Sequence, residues 1–190
     1  MFELVESSLP GCRLLLPTLR DDNRGRFVKS FHAKFFAAHG MADEFREQYY
    51  SVSNGGVLRG LHFQIPPDDH AKLVICLAGE IFDAVVDLRV GSPKYGRHDQ
   101  FKLTAERGEQ LYIPSGVAHG FYVLSERAIV LYSATSVYAP EHDTGLRWDS
   151  VGIEWPVDAP SVSDRDQDLP PMDSFESPFR YPPDSSGREL

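Results

Sequence analysis

Arg59, His62, His70 and Lys72 fall within one short stretch, "GVLRGLHFQIPPDDHAKLV" at residues 56–74. Two cations and two imidazoles exceed what a plain core needs, so the stretch can hold an anion, move a proton or ligate a metal. Two spacings frame it. Gly56-x5-His62-x-Gln64 precedes the group, and "GEQLYIPSGVAHGF" gives Gly108-x5-Pro114-x-Gly116-x2-His119. A transition-metal site wants about three imidazole or carboxylate ligands. With Gln64 where a second imidazole would be needed, the candidates shrink to His62, His119 and a loop acid such as Asp68 or Asp69, and no metal is expected. Taken alone, His119 also reads as a structural histidine behind the "PSG" turn, and Lys72 as a solvated lysine at a rim.

The elements that must position these groups read as short strands. Residues 12–19 and 26–31 flank a polar turn, "RDDNRG", and "HAKFFAAHG" reads as one helix stopped at Gly40. Beyond Gln48 come "GVLRGLHFQ", "KLVICLAG", "IFDAVVDLRV", "HDQFKLT", "EQLYIP", "HGFYVL" and "AIVLYSATSVY", punctuated by Gly- and Pro-bearing turns. That pattern predicts an all-β sandwich or barrel with a few short helices. Asp83 and Asp87, inside an otherwise apolar strand, read as buried network residues. Residues 1–155 form the expected domain. The Pro-, Ser- and Asp-rich segment 156–190 cannot build a core of its own, so it packs on that domain or trails from it.

The chain has 190 residues, a net charge of -9, 42% hydrophobic and 12% aromatic residues. It is globular, and its acidity argues against a nucleic-acid surface. An anionic ligand would need a local cationic pocket. Two unclustered cysteines, Cys12 and Cys76, form neither a zinc spacing nor a disulfide framework. The N-terminus lacks the charge pattern of a signal peptide, and no apolar run is long enough to span a bilayer. A cytoplasmic protein without membrane contact is expected.

The two spacings resemble the paired motifs of the cupins, a jelly-roll superfamily, with Gln64 departing from the usual second histidine. More specifically, "GVLRGLHFQ", "KLVICLAGEIFDAVVDLR", "SPKYG", "LYIPSGVAHGF", "LYSATSVYAPEHD", "GLRWDSVGIEWP" and "SDRD" occur in the order seen in dTDP-4-dehydrorhamnose 3,5-epimerases. The resemblance is strong from Val57 to Asp166 and looser at "DDNRGRF". It implies a cupin-type jelly-roll barrel and an isomerase of deoxysugar and polysaccharide biosynthesis. The substrate would be a nucleotide-diphospho-4-keto-6-deoxy sugar, epimerised at C3, C5 or both through an enolate without any cofactor. It casts His62 as base, Asp166 as the carboxylate that orients it, Lys72 as the group holding the oxyanion and Tyr132 as the acid on the far face. Asp164 and Asp168 compete with Asp166, and only the S-x-[KR]-D frame selects among them. Tyr132 alone could equally be core.

The resemblance further implies that Arg24 and Arg59 grip the diphosphate, that His119 lies near it or the sugar, and that Phe27, Lys29, Glu47, Tyr49 and Tyr138 contribute to substrate binding. It implies a homodimer that exchanges an N-terminal strand and sends Arg24 and Lys29 into the partner's pocket. Several of these positions depart from the family pattern. Glu47 stands for Gln and Tyr49 for Asn in the Q-x-N-x-S segment, Lys29 for a carboxylate, Ser133 for a Lys and Val137 for an aromatic. The chemistry is thus expected to be kept while the nucleobase and sugar stay open. A metal-dependent cupin using His62, Gln64 and His119, or a non-catalytic sugar-nucleotide binder, are the alternatives.

Overall fold

Side chains two apart on a strand face the same side of a sheet, and this period sorts the chain into a filled sandwich. A computed structural model of the chain describes residues 1–181. Its strands are β1 (Phe2–Glu6), β2 (Arg13–Pro17), β3 (Arg20–Asp22), β4 (Gly25–Phe27), β5 (Glu47–Asn54), β6 (Leu58–Gln64), β7 (Lys72–Ala78), β8 (Glu80–Asp87), β9 (His98–Thr104), β10 (Gln110–Ile113), β11 (Val117–Val123), β12 (Arg127–Ala134) and β13 (Asp143–Gly145). Two short α-helices, α1 (Ala33–Ala38) and α2 (Asp164–Gln167), complete the list with a 3-10 turn at Met172–Ser174. One sheet runs β1-β2-β10-β7-β12-β5 and the other β13-β6-β11-β8-β9; every pairing is antiparallel, and β3–β4 forms a separate hairpin. This is the two-sheet, jelly-roll arrangement expected from the sequence.

The sandwich interior is packed at one end by Val74, Cys76 and Val130 from the first sheet against Ile81, Val85 and Phe121 from the second. On the same strands, inward positions at the other end hold polar groups: Lys72 on β7, Tyr132 on β12, His62 on β6 and His119 on β11. Outward positions are covered too. Leu73 and Ile75 pack against Phe36 of α1, and Leu61, Ala84 and Val86 pack with Phe179 of the C-terminal segment. Helix α1 starts where the His32 ring accepts the Phe35 N–H, and stops where Gly40 takes φ +69°.

After Trp155 the chain wraps the second sheet. Ser161 bridges to Val57, α2 lies against β6, Phe175 and Phe179 sit on Phe63, and Arg180 bridges to Val90. Residues 182–190, the end of the Pro-, Ser- and Asp-rich segment, lie outside the described residues. Among the described residues no helix is long and apolar enough to cross a membrane.

Several elements depart from the sequence reading. The strand expected over 26–31 ends at Phe27, because only Gly25–Phe27 have partners, in Arg20–Asp22. The strand expected to reach Tyr138 ends at Ala134, where the chain leaves the sheet. Strands β1, β5 and β13 were not expected, and β3 lies in what read as a polar turn. Strand β1 pairs in register with β2, from Phe2 opposite Pro17 to Glu6 opposite Arg13.

Strands β6 and β11 approach closely at Gly60 and Gly120. Gly60 has φ +138°, and a Cβ there would lie 2.5 Å from the Gly120 Cα. This contact lies beside His62, two residues after Gly60, and His119, one residue before Gly120, which are cross-strand partners. Gly60→Ala is therefore expected to destabilise the chain by roughly 3 kcal/mol, through strain and overlap together. Equilibrium urea unfolding checks this, and a loss under about 1 kcal/mol would contradict it.

Candidate active site

The polar end of the sandwich encloses a cavity of about 350 Å³, lined by Glu47, Tyr49, Arg59, His62, Lys72, His119, Tyr132 and Tyr138 among others. Eight of the residues expected at the site thus meet in one place. A ninth, Asp166, lies directly behind His62.

His62 is contributed by β6, its side chain 27% exposed. Its Nε2 lies 2.7 Å from Asp166 Oδ1, and the other carboxylate oxygen accepts the Gly60 N–H at 3.1 Å. Asp166 is buried in α2, with its own N–H received by the Ser163 side chain that caps the helix. Burial by itself would raise its pKa, but the His62 hydrogen bond, the His62 charge, the Gly60 amide and Arg165 outweigh that and hold the carboxyl below the usual range. With Asp166 ionised, the imidazole donates through Nε2 and keeps an Nδ1 lone pair for the cavity. Asp164 and Asp168 are exposed on the same turn, so Asp166 is the acid that the fold brings to His62.

A second His–Asp pair sits deeper. His119 Nε2 is 2.8 Å from Asp83 Oδ2, both residues being buried. Burial raises the Asp83 pKa, and His119 opposes that rise. Asp83 therefore touches the site through His119, whereas Asp87 bonds Arg89 and Ser92 away from the cavity.

Lys72 is buried on β7, and its Nζ donates weakly to the His62 carbonyl at 3.4 Å. Burial brings it down to about 8, against Asp143, which favours the charged form, while Arg165 adds to the fall. Tyr132 is 7% exposed on β12 and is pushed far up, chiefly by burial, so its hydroxyl stays protonated. The hydroxyl lies 3.3 Å from Ser51 Oγ, and its ring stacks on Tyr49. Arg59 donates Nε–H to Ser53 Oγ at 2.9 Å. Tyr138 and Val137 are exposed in the loop after β12, and the Glu47 carboxylate accepts the Tyr138 N–H. His70, also in the wall, is driven down to about 3 by burial and then by Lys72, and so stays neutral.

Arg24, Phe27 and Lys29 do not join the cavity. All three are exposed, Arg24 paired with Asp22 at 2.6 Å on hairpin β3–β4 and Phe27 at its end. Nor do the residues present fit a metal. The Gln64 amide bonds to the Asp68 and Val137 carbonyls and the Ala139 N–H, holding loops, and among the described residues no three His, Cys, Asp or Glu side chains converge. Sequence reasoning missed Ser53, which holds Arg59, and did not single out Ser51, the end of the Q-x-N-x-S segment, which meets the Tyr132 hydroxyl. The signal was the spacing of Glu47, Tyr49, Ser51 and Ser53, two apart on β5.

A family model described as dTDP-4-dehydrorhamnose 3,5-epimerase matches residues 6–174. The dTDP-4-dehydrorhamnose 3,5-epimerase of Shigella flexneri is 42% identical over 166 residues, covering 86% of this chain and 92% of the relative. Its Pseudomonas aeruginosa counterpart is 43% identical over 164 residues, covering 84% and 90%. The structure of dTDP-6-deoxy-D-glucose-3,5-epimerase from Legionella pneumophila Philadelphia 1, in complex with dTDP-4-keto-L-rhamnose, matches with a TM-score of 0.91 at 34% identity, covering 96% of this chain and all (100%) of that one. A 3'-monoepimerase from Streptomyces bikiniensis in complex with dTDP-quinovose matches at 0.82 and 34%, covering 87% and 86%.

The depressed Lys72 pKa carries a sign that unfolding can read. The unfolded lysine, near 10.4, holds its proton in a window where the folded one has lost it, so Lys72 makes stability rise with pH from about 8 to about 10.4. Lys72→Met is expected to remove that rise. Urea unfolding of both proteins across the window measures the difference, and parallel curves would contradict the assignment.

Proposed function

Because this chain belongs to the dTDP-4-dehydrorhamnose 3,5-epimerase family, we propose that its cavity takes a nucleotide-diphospho-4-keto-6-deoxy sugar and inverts C3, C5 or both. The observation that carries this reading is the meeting in one cavity of an oriented His62–Asp166 pair, a buried lysine and a phenol that stays protonated. A C–H next to the C4 ketone is acidic because its removal gives an enolate. His62 Nδ1 takes that proton, and the C–H electron pair moves into the C–C bond as the carbonyl pair moves onto O4. The Lys72 ammonium faces the resulting negative oxygen, an interaction stronger in a desolvated cavity than in water. Tyr132 then gives its hydroxyl proton to the opposite face of the same carbon as the enolate collapses to the ketone. Solvent takes the proton from His62 and returns one to Tyr132, which closes the cycle with no net redox change.

Arg59 and His119 are assigned to the diphosphate and sugar, Glu47 and Tyr49 to the sugar side, and Tyr138 to the nucleobase, where a mouth aromatic offers a stacking face. Arg24, Phe27 and Lys29 are assigned to the cavity of a second copy. The support is physical: an isolated two-stranded hairpin is marginal in water, Phe27 is 64% exposed on it, and the outer face of edge strand β5 exposes Tyr50 and Val52. Two unpaired thiols, Cys12 and Cys76, suit a reducing cytosol. The thymidine-linked sugars named for the Legionella and Streptomyces proteins are the first substrates to try.

With a dTDP-4-keto-6-deoxy sugar in D₂O, His62→Ala is expected to bind nucleotide yet lose solvent exchange at both carbons, by at least about 10²-fold. Exchange at the wild-type rate would sink the mechanism. The wild-type kcat/KM is expected to fall as pH rises past about 8, where free Lys72 loses its proton. A profile flat to pH 10 would remove Lys72 from that role.

A further inference from the structure

The inward stripe of β5 touches the site at every step. Glu47 holds the Tyr138 amide, Tyr49 stacks on Tyr132, Ser51 meets the Tyr132 hydroxyl and Ser53 holds Arg59. Two of these contacts converge on Tyr132. Tyr49 and Tyr132 are direct cross-strand partners, with ring centroids 4.8 Å apart and planes 17° from parallel. The Ser51 contact, at 3.3 Å, is long for an O–H···O hydrogen bond and cannot by itself fix the ring. The His119 and Tyr132 rings meet T-shaped at 6.1 Å, whereas Tyr49 lies nearly parallel to Tyr132. An asparagine, which the family resemblance puts at this position, has no ring to lay there.

Resting on the function proposed above, we infer that Tyr49 is a positioning residue, which by stacking on Tyr132 holds that hydroxyl on the sugar face opposite His62 and so favours inversion over return. Once formed, the enolate partitions. The imidazolium of His62 gives a proton back with retention, or Tyr132 gives one with inversion. Both routes break the same C–H bond, so the ratio between them reports only where the two acids stand. A tyrosine free to turn on its side-chain bonds presents its hydroxyl less often, and the ratio registers this whatever the overall rate of proton abstraction becomes. Burial supports the arrangement: the outer ring is 41% exposed and the inner one 7%, so Tyr49 shields Tyr132 and helps keep it protonated. Its exposure also means that removing Tyr49 leaves the sandwich core intact.

The test compares wild type, Tyr49→Phe and Tyr49→Ala with a dTDP-4-keto-6-deoxy sugar in D₂O, using proton NMR. Deuterium entering recovered substrate is measured against deuterium entering the epimer. Tyr49→Ala is expected to raise the exchange-to-inversion ratio roughly three- to tenfold, the scale of one aromatic pair contact, while Tyr49→Phe keeps the stack and stays within about twofold of wild type. The ring-flip rate of Tyr132, read by NMR without substrate, is expected to rise in Tyr49→Ala and not in Tyr49→Phe. An unchanged ratio in Tyr49→Ala overturns the inference, as does a Tyr49→Phe that matches Tyr49→Ala, which would assign the role to the hydroxyl. A wild type that exchanges neither carbon overturns the function on which the inference rests. Failure of the inference alone would leave wild-type exchange intact.

Discussion

The hydrogen bond between His62 and Asp166 joins strand β6 to a turn 104 residues further along the chain, and much of the architecture exists to make it possible. A buried carboxylate is tolerated only when its oxygens are satisfied. Here one oxygen takes the imidazole and the other the Gly60 amide, while Ser163 fixes the turn. Each requirement recruits a neighbour. Gly60 must lie against Gly120 for its amide to be where it is. The C-terminal segment must stay on the sheet, which Phe175, Phe179 and the Val57–Ser161 bridge secure. A segment too polar to build a core is therefore part of the site, held by a few aromatic anchors.

The sandwich solves a second problem with the same two-residue period. Residues that must react and residues that must pack alternate along the same strands, and position along the strand decides which they are. Leu73, Ile75 and Tyr112 lock the first sheet to α1, and Leu61, Ala84 and Val86 lock the second to the tail. The inward face is thereby free to hold Lys72, His119 and Asp83 at one end, where burial opposes the charged forms of Lys72 and Asp83. Burial shapes these groups for use. It brings the lysine down to about 8, where the ammonium is kept at neutral pH to face the enolate oxygen, and it raises Tyr132 so that its proton is kept until a stronger base, the enolate, demands it.

Much of this was legible in the residues. The apolar run of "KLVICLAG" and the alternation in "HDQFKLT" gave strands close to their observed limits, and the motifs around His62, Lys72, His119, Tyr132 and Asp166 named the groups that meet. What escaped had physical causes. Strand β5 reads "EQYYSVSN" because its inward stripe faces a polar cavity and its outer stripe is exposed, so neither face shows an apolar alternation. Strand β13 is three residues long and draws its existence from pairing with β6. The early end of β12 is set by partners remote in sequence, since Ala134 lies opposite Glu47 and Lys72, the first residues of β5 and β7. That Asp83 serves His119 rather than a separate network needed the register of β8 against β11.

The account turns on the proton of one imidazole. Nitrogen-15 NMR of His62 in the free protein, at a pH where its ring is neutral, reads that proton's position directly. The account predicts the Nε2–H tautomer, with the proton toward Asp166 and an unprotonated Nδ1 for the cavity. An Nδ1–H tautomer would set a lone pair against the carboxylate, leave the cavity without its base and contradict the account.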